Sequence, residues 1–413
     1  MKYKLKKYCR CCKGKKLIKY LNLGRQPLAN SYNKGEKLEE YPLEVALCKK
    51  CFHSQLSVVI NPDVMFKNYL YVSGTTKTFR EHTKTLAYDA VKRFNKKNLR
   101  VLDIACNDGT QLEYFRQLGC DVLGIDPAIN LRKITKKKNI PVIVDYWTQE
   151  VAKKIKNKFD IMTGTNVFAH VDDVDEFLNA CKIALDKEGI LILEFPYADK
   201  MVSHNEFDTI YHEHLSYFLV NSFKSLVDRL GFRIIDVIQT PIHGGSIRFY
   251  LKNEKTKESS KVRRLIEKEK KNGLLEVRTY KKFSNQVTKN KNDMIKLIAK
   301  IKKEKKKVIG YGASAKGNTM LNYFKIDLSY TVDDNELKWG FLTPGQNISI
   351  RSPEDIRKEK EGLYIIILAW NFYNEIIRRI KSRRGDKNDF AILYVPKVTV
   401  RSIKSSKKYT QSA

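Results

Sequence analysis

The sequence predicts an α/β protein in three parts: a small metal-binding module at the N-terminus, then two doubly wound α/β domains in succession. Three observations carry this prediction. Two Cys-x-x-Cys pairs fall before residue 52, a strand–turn–helix–strand unit runs from Val101 to Asp126, and a second strand, glycine turn and helix start run from Lys307 to Gly317. At 413 residues the chain exceeds what one core holds, so several domains are expected. The reading sets boundaries at 1–72, 73–252 and 253–405, with a polar tail over 406–413.

Composition narrows the class. With 42% hydrophobic and 11% aromatic residues, wholesale disorder is excluded. No apolar run approaches the roughly 20 residues that cross a bilayer. Met1–Tyr8 is basic but leads into cysteines rather than an apolar stretch, so no signal peptide or membrane span is expected and a cytoplasmic location is. Lys+Arg number 79 and Asp+Glu 46, a net charge of +33. Such a charge suits a nucleic-acid binder, but the lysines are spread along the chain, as at 136–138 and 303–307, with few aromatics between them. That is the pattern of a solvated surface, and nucleic acid is not the expected partner.

In the first module, Cys9-Arg10-Cys11-Cys12 and Cys48-Lys49-Lys50-Cys51 form two knuckles. Each presents two thiolates from one tight turn, and two turns close a tetrahedral shell around Zn²⁺ with no open position, the pattern of a structural site. The expected ligands are Cys9, Cys12, Cys48 and Cys51, with Cys11 able to replace Cys9 or Cys12. Cys106, Cys120 and Cys181 lie among apolar residues and are expected to be buried, inert thiols.

In the central domain, Val101–Ile104 reads as a buried strand, Asn107-Asp108-Gly109 as a turn, Thr110–Leu118 as a helix and Asp121–Ile125 as a second strand closing on Asp126. Ligands of such folds bind beyond the carboxyl ends of the strands, and an acid about 20 residues past the turn is placed to accept from ribose hydroxyls. Strands are also expected before Asp145-Tyr146-Trp147, over Phe159–Met162 into Thr165–His170, and over Ile190–Phe195. The turn does not spell GxGxxG. Asp103 with Asn107-Asp108-Gly109 instead resembles motif I of S-adenosylmethionine-dependent methyltransferases. By that likeness Asp103, Asn107, Asp108 and Gly109 meet the methionine end and Asp126 the ribose. Asp145 and Tyr146 border the adenine, and Asn166 and His170 lie near the methyl-transfer face.

The least ordinary segment is Tyr211-His212-Glu213-His214-Leu215-Ser216-Tyr217-Phe218, which holds two of only seven histidines. An imidazole takes a proton near neutral pH, a neighbouring carboxylate orients it, and a phenol donates to a developing oxyanion. That set suits proton abstraction beside a carbonyl; an HxH metal site lacks a third ligand at a sensible spacing.

The motifs together give a resemblance from end to end. Leu23–Asn30, Tyr69-Leu70-Tyr71-Val72-Ser73-Gly74, Asn107–Thr110, Tyr211–Phe218 and His243-Gly244-Gly245-Ser246-Ile247-Arg248 are similar, in that order, to the sugar C-methyltransferases. These are enzymes of deoxysugar biosynthesis with a four-cysteine zinc domain, a central Rossmann-like methyltransferase domain and a C-terminal Rossmann-like domain. The resemblance implies S-adenosylmethionine and zinc as cofactors and a nucleotide-linked keto-deoxysugar as substrate. It implies His214 as general base, supported by Glu213 and Tyr211, with Tyr71 lining the cavity and His243, Gly244 and Arg248 toward the substrate. The family carries glycine and serine where this chain has Ala105 and Cys106, and alanine restricts backbone approach to the cofactor. Competing readings are methylation of oxygen or nitrogen, an RNA methyltransferase, and a non-catalytic partner.

Residues 253–306 are rich in Lys and Glu with apolar positions at helical spacing, the pattern of amphipathic helices. Beyond them Gly310, Gly312, Ala313 and Lys316 form a GxGxxA-like turn after an apolar strand, a place where backbone N–H groups meet phosphate. Asp333 ends the next strand, and Tyr364–Asn371 reads as another. By the resemblance this half holds the substrate's nucleotide. The sequence leaves monomer or homo-oligomer open.

Overall fold

The computed structural model describes residues 3–67, 69, 72–252 and 256–404. Tyr71 and the tail from 405 lie outside the described residues, as does the side chain of His243. The chain divides into two discontinuous compact units. The first holds residues 1–18, 46–199 and 213–277; the second holds 19–45, 200–212 and 278–413.

The N-terminal segment supplies five strands: β1 (Tyr3–Leu5), β2 (Leu17–Gln26), β3 (Tyr41–Cys48), β4 (Ser54–Leu56) and β5 (Val58–Ile60). Inside the first unit β1 pairs antiparallel with β5. The rest of that unit is built on β6 (Arg100–Ile104), β7 (Asp121–Ile125), β8 (Val142–Ile143), β9 (Phe159–Thr165), β10 (Leu185–Pro196), β11 (Ser216–Tyr217), β12 (Arg233–Thr240) and β13 (Ser246–Lys252). Seven of these form one sheet in the order β12-β13-β10-β9-β6-β7-β8. Strands β8, β7, β6, β9 and β10 run parallel, and β13 is antiparallel to β10. The order reverses beside β6, so the crevice at its carboxyl end is the switch point where such sheets take ligands. Short β11 pairs instead with β4, Ser216 opposite Gln55.

Helix Lys77–Lys92 buries Phe79, Thr83, Leu86, Ala87 and Ala90, one stripe at a 3.6-residue period. Its small residues pack with Val101, Leu112, Phe115, Val122 and Ile161. A second cluster joins Phe168, Phe195, Phe218, Phe223 and Phe249. Phe168 opens the turn that carries His170, and Phe218 follows the strand after His214, so this cluster packs against both histidine-bearing segments. Cys106, Cys120 and Cys181 are buried as expected.

The second unit carries a sheet of β14 (Val308–Tyr311), β15 (Thr331–Val332), β16 (Ile350–Arg351), β17 (Tyr364–Ile367), β18 (Phe390–Leu393) and β19 (Thr399–Ser402), in the order β16-β15-β14-β17-β18-β19. All pairs are parallel except β18 with β19. Strand β17 stops at Ile367, earlier than the sequence suggests. Trp370 turns off into a 3₁₀ turn (Trp370–Phe372), and its indole N–H donates to buried Asp208 at 2.6 Å. The amphipathic helices form as Ser260–Lys271 and Val277–Lys303.

Candidate active site and metal centre

The two cysteine knuckles have the same backbone. Lys13 N donates to Cys9 O and Phe52 N to Cys48 O, and both Lys13 and Phe52 are left-handed. The sulfurs of Cys9, Cys12, Cys48 and Cys51 all lie within 4.8 Å of one another, with Cys9–Cys51 and Cys12–Cys48 each at 3.5 Å. Thiolates about 2.3 Å from a tetrahedral zinc stand roughly 3.8 Å apart, so the four fit a structural zinc site. Cys11 is fully buried and stands outside this group.

Around the turn after β6, three residues take positive φ: Ala105 at 58°, Asn107 at 51° and Gly109 at 74°. A left-handed alanine costs roughly 1 kcal/mol or more. Ala105 N and Cys106 N both donate to Ile125 O, which ties the turn to the end of β7. Buried Asp126 closes it, its Oδ2 accepting from Asn107 N and its Oδ1 from Ala128 N, each at 2.8 Å. Asp103 Oδ1 accepts from Thr163 Oγ1 at 2.6 Å and Gln111 Nε2 at 3.0 Å. Burial nevertheless pushes its carboxyl up to about 7, against those two donors and with Asp126 and Asp108 adding to the rise.

Asn107 and Asp108 also do something the sequence did not disclose. Asn107 Oδ1 accepts from Ser73 N at 3.0 Å and Asp108 Oδ2 from Gly74 N at 3.2 Å. A Cβ on Gly74 would stand 2.3 Å from Thr110 Oγ1, so only glycine fits there. Ser73 and Gly74 are thus fastened to the turn. Tyr146, beyond β8, donates to Asp63 Oδ1 at 3.0 Å, and exposed Asp145 accepts from Tyr146 N. Left-handed Asn166 follows β9, and its Oδ1 is buried with no hydrogen-bond partner among the described residues. A buried orphan acceptor and a carboxylate held near 7 are groups suited to a donor and a cation, so these residues fit S-adenosylmethionine.

His170, expected on the cofactor side, stacks on His214 with ring centroids 5.1 Å apart and on Phe66 at 5.6 Å. Burial pushes the His170 imidazole down to about 4. Buried Glu213 accepts from Tyr69 Oη at 3.1 Å. Phe66 was not singled out from sequence, and Tyr69 entered only as the first residue of the Tyr69–Gly74 stretch, not as a site residue. His212 differs from its neighbour: it belongs to the second unit, is buried, and places Nε2 3.3 Å from Pro42 O. Tyr211 also falls in the second unit.

Arg248, expected to face substrate, is instead buried in the sheet. Its Nε donates to Glu194 Oε2 at 2.7 Å, and its remaining nitrogens reach Tyr250 Oη and His82 Nε2. Gly244 lies in the turn Ile242–Gly244 before β13. In the second unit the acid of Asp333 accepts from Asn335 N at 2.8 Å and pairs with Lys338 at 3.2 Å, rather than standing ready for a ligand. Ala313 O accepts from Tyr32 Oη and Lys338 Nζ at 2.6 and 2.8 Å. A Cβ on Gly310 would meet Leu368 Cδ1 at 2.7 Å, so that glycine serves packing. Lys316 Nζ lies 4.4 Å over the Trp370 ring.

A seven-stranded sheet of this order with an acid-lined turn at its switch point defines an S-adenosylmethionine-dependent methyltransferase. Profile matches agree, with a zinc binding domain over residues 9–66, a methyltransferase domain over 79–237 and a C-methyltransferase C-terminal domain over 241–396. The chain belongs to the C-methyltransferase family of NovU from Streptomyces niveus, to which it is 31% identical over 96% of this chain and 97% of NovU. A ubiquinone biosynthesis O-methyltransferase of Rhodopseudomonas palustris (strain HaA2) is 37% identical over 23% of this chain and 39% of its own. Among solved structures, the plantazolicin methyltransferase BpumL with SAH is 16% identical at a TM-score of 0.36, over 44% of this chain and 87% of its own. No helix among the described residues is long and apolar enough to cross a membrane.

Proposed function

We propose that this C-methyltransferase acts on a nucleotide-linked keto-deoxysugar and that His214 removes the proton from the carbon beside the ketone. The observation that carries the reading is the His214–His170 stack at 5.1 Å. A stacked pair of imidazolium ions would repel, but His170, held down to about 4 by burial, is neutral at physiological pH. His214 can therefore take up a proton without a charged neighbour above it. Glu213, next in the chain and held by Tyr69, is a carboxylate that favours the protonated imidazole.

An unactivated C–H is no nucleophile, so methylation at carbon needs this step. The C–H bond breaks, its proton goes to His214, and its electron pair is delocalised onto the ketone oxygen. Asp103, Asn166 and Asp126 hold the cofactor end. S-adenosylmethionine, when bound, supplies the electrophilic methyl group. Full-length likeness to NovU supports the carbon as acceptor.

The test is His214→Ala with labelled S-adenosylmethionine and a panel of keto-deoxysugar nucleotides, with bulk RNA as control. Loss of a general base predicts turnover down by about 10²–10⁴ with cofactor binding kept. Near-normal turnover, label on oxygen or nitrogen, or label in RNA would overturn the reading.

A further inference from the structure

The geometry points to Arg10 as a positioning residue that fastens both histidine-bearing segments to the zinc knuckle. This rests on the role given to His214 above, and it adds a residue that lies far from the reacting atoms in the chain. Arg10 sits between zinc ligands Cys9 and Cys12 and is wholly buried. Its backbone N–H donates to Gln55 Oε1 at 2.8 Å, and Gln55 in turn pairs with Ser216 across β4 and β11. Its Nε donates to Asp172 Oδ1 at 3.0 Å. One terminal nitrogen donates to the carbonyls of Leu56 at 3.2 Å and Leu215 at 3.1 Å.

The positions of those partners matter. Asp172 lies two residues beyond His170, and Leu215 follows His214 directly. One guanidinium therefore grips the backbone beside one imidazole and the carboxylate beside the other, and these are the two rings that stack. Both gripped segments end in the same aromatic cluster, which packs them but cannot set their spacing, because dispersion between rings has little directional preference compared with a hydrogen bond. A guanidinium offers donors in a rigid plane and is suited to holding separate acceptors at fixed angles.

A buried cation is costly unless it is paired. Among the described residues Arg10 has one carboxylate partner, Asp172, which is 35% exposed and shared with Lys6 at 2.7 Å. Four thiolates on Zn²⁺ leave a net double negative charge beside it, which makes the knuckle the second compensating group. With zinc bound, the knuckle would compensate the arginine from one side, and the arginine holds the two loops from the other. On this view the zinc module acts on the stack although none of its ligands touches it.

Arg10→Lys keeps the charge and removes the fork. The expected result is unchanged zinc content and unchanged affinity for S-adenosylmethionine, with kcat down about 10-fold or more and KM for the sugar nucleotide moved by less than about 3-fold, since a displacement near 1 Å is felt in the reacting geometry. Amide hydrogen exchange over 168–172 and 214–218 should rise while that over 103–110 does not. Asp172→Asn, which weakens one arm and leaves the knuckle intact, should move the same exchange in the same direction by less. The proposal is overturned if either variant keeps full protection in both segments, or if Arg10→Lys loses its zinc. Exchange does not depend on what His214 does in the reaction. A His214→Ala enzyme with normal turnover would therefore sink the functional reading while leaving this coupling to be judged separately.

Discussion

The turn at 105–109 in the first unit and the turn at 312–314 in the second make the same step, from a strand of a parallel sheet into the helix that follows. Each is accompanied by an acid that ends the next strand, Asp126 or Asp333. The first turn borders groups that burial leaves poorly matched: Asp126 accepts from the backbone of Asn107 and Ala128, but Asp103 is pushed up to about 7, and Asn166 Oδ1 has no partner among the described residues. The second turn is satisfied by its own unit. Lys338 bridges Asp333 and Ala313 O, and Tyr32 donates to the same carbonyl. Topology and a glycine string are thus shared by both, and what separates them is whether buried polar groups already have partners.

Gly312→Ala tests the second half of that comparison. Gly312 has φ of 91°, and an added Cβ would lie 2.8 Å from Ala369 Cβ. Left-handed strain and overpacking together should cost about 3 kcal/mol, read as a lowered urea midpoint, with S-adenosylmethionine binding unchanged. If stability held and only nucleotide-sugar affinity fell, Gly312 would be serving ligand approach, and the two turns would be alike after all.

How much of this was legible in advance follows from what kind of contact is involved. The cysteine knuckles, the 101–126 unit and Asp126 are local patterns, and they stand where the sequence put them. The Phe66–His170–His214 stack joins residues up to about 150 positions apart, and no periodicity encodes it. Arg248 was set toward the substrate by the family likeness of its stretch, whereas its strand register sets it beside Glu194 on β10, the residue it pairs with. Gly310 misled because a glycine required by Leu368 and one required by a phosphate look the same in a sequence.

Asp103→Asn probes the unspent charge in the first unit. Its carboxyl has a folded pKa of about 7, above the ordinary value of 3.8, chiefly because burial disfavours the charged form. A raised pKa means the folded state holds the proton more tightly, so the contribution to stability is full below about 4 and is lost as pH rises through about 7. The amide never ionises. Cofactor-free Asp103→Asn should therefore gain on the parent protein by up to about 4 kcal/mol at pH 8 and lose that advantage near pH 4. The check is denaturant unfolding at the two pH values; a gap that does not change with pH would mean the acid is not strained by its surroundings.

The smallest effect sharpens the comparison most, because it reverses the sign of the first. Ala105 is the residue whose methyl group is out of place in the cofactor turn, with φ of 58°. Ala105→Gly removes roughly 1–2 kcal/mol of left-handed strain and returns part of it as unfolded-chain entropy, about 0.4–1 kcal/mol. A net gain of about 0.5–1 kcal/mol is expected, seen as a raised melting temperature, with cofactor affinity equal or better. Gly312→Ala and Ala105→Gly exchange the same two residues in opposite directions at left-handed positions, so stabilisation in one and loss in the other would show that backbone conformation sets both. Loss in both would mean that the Ala105 methyl group packs usefully and that the first turn has no room to gain from glycine.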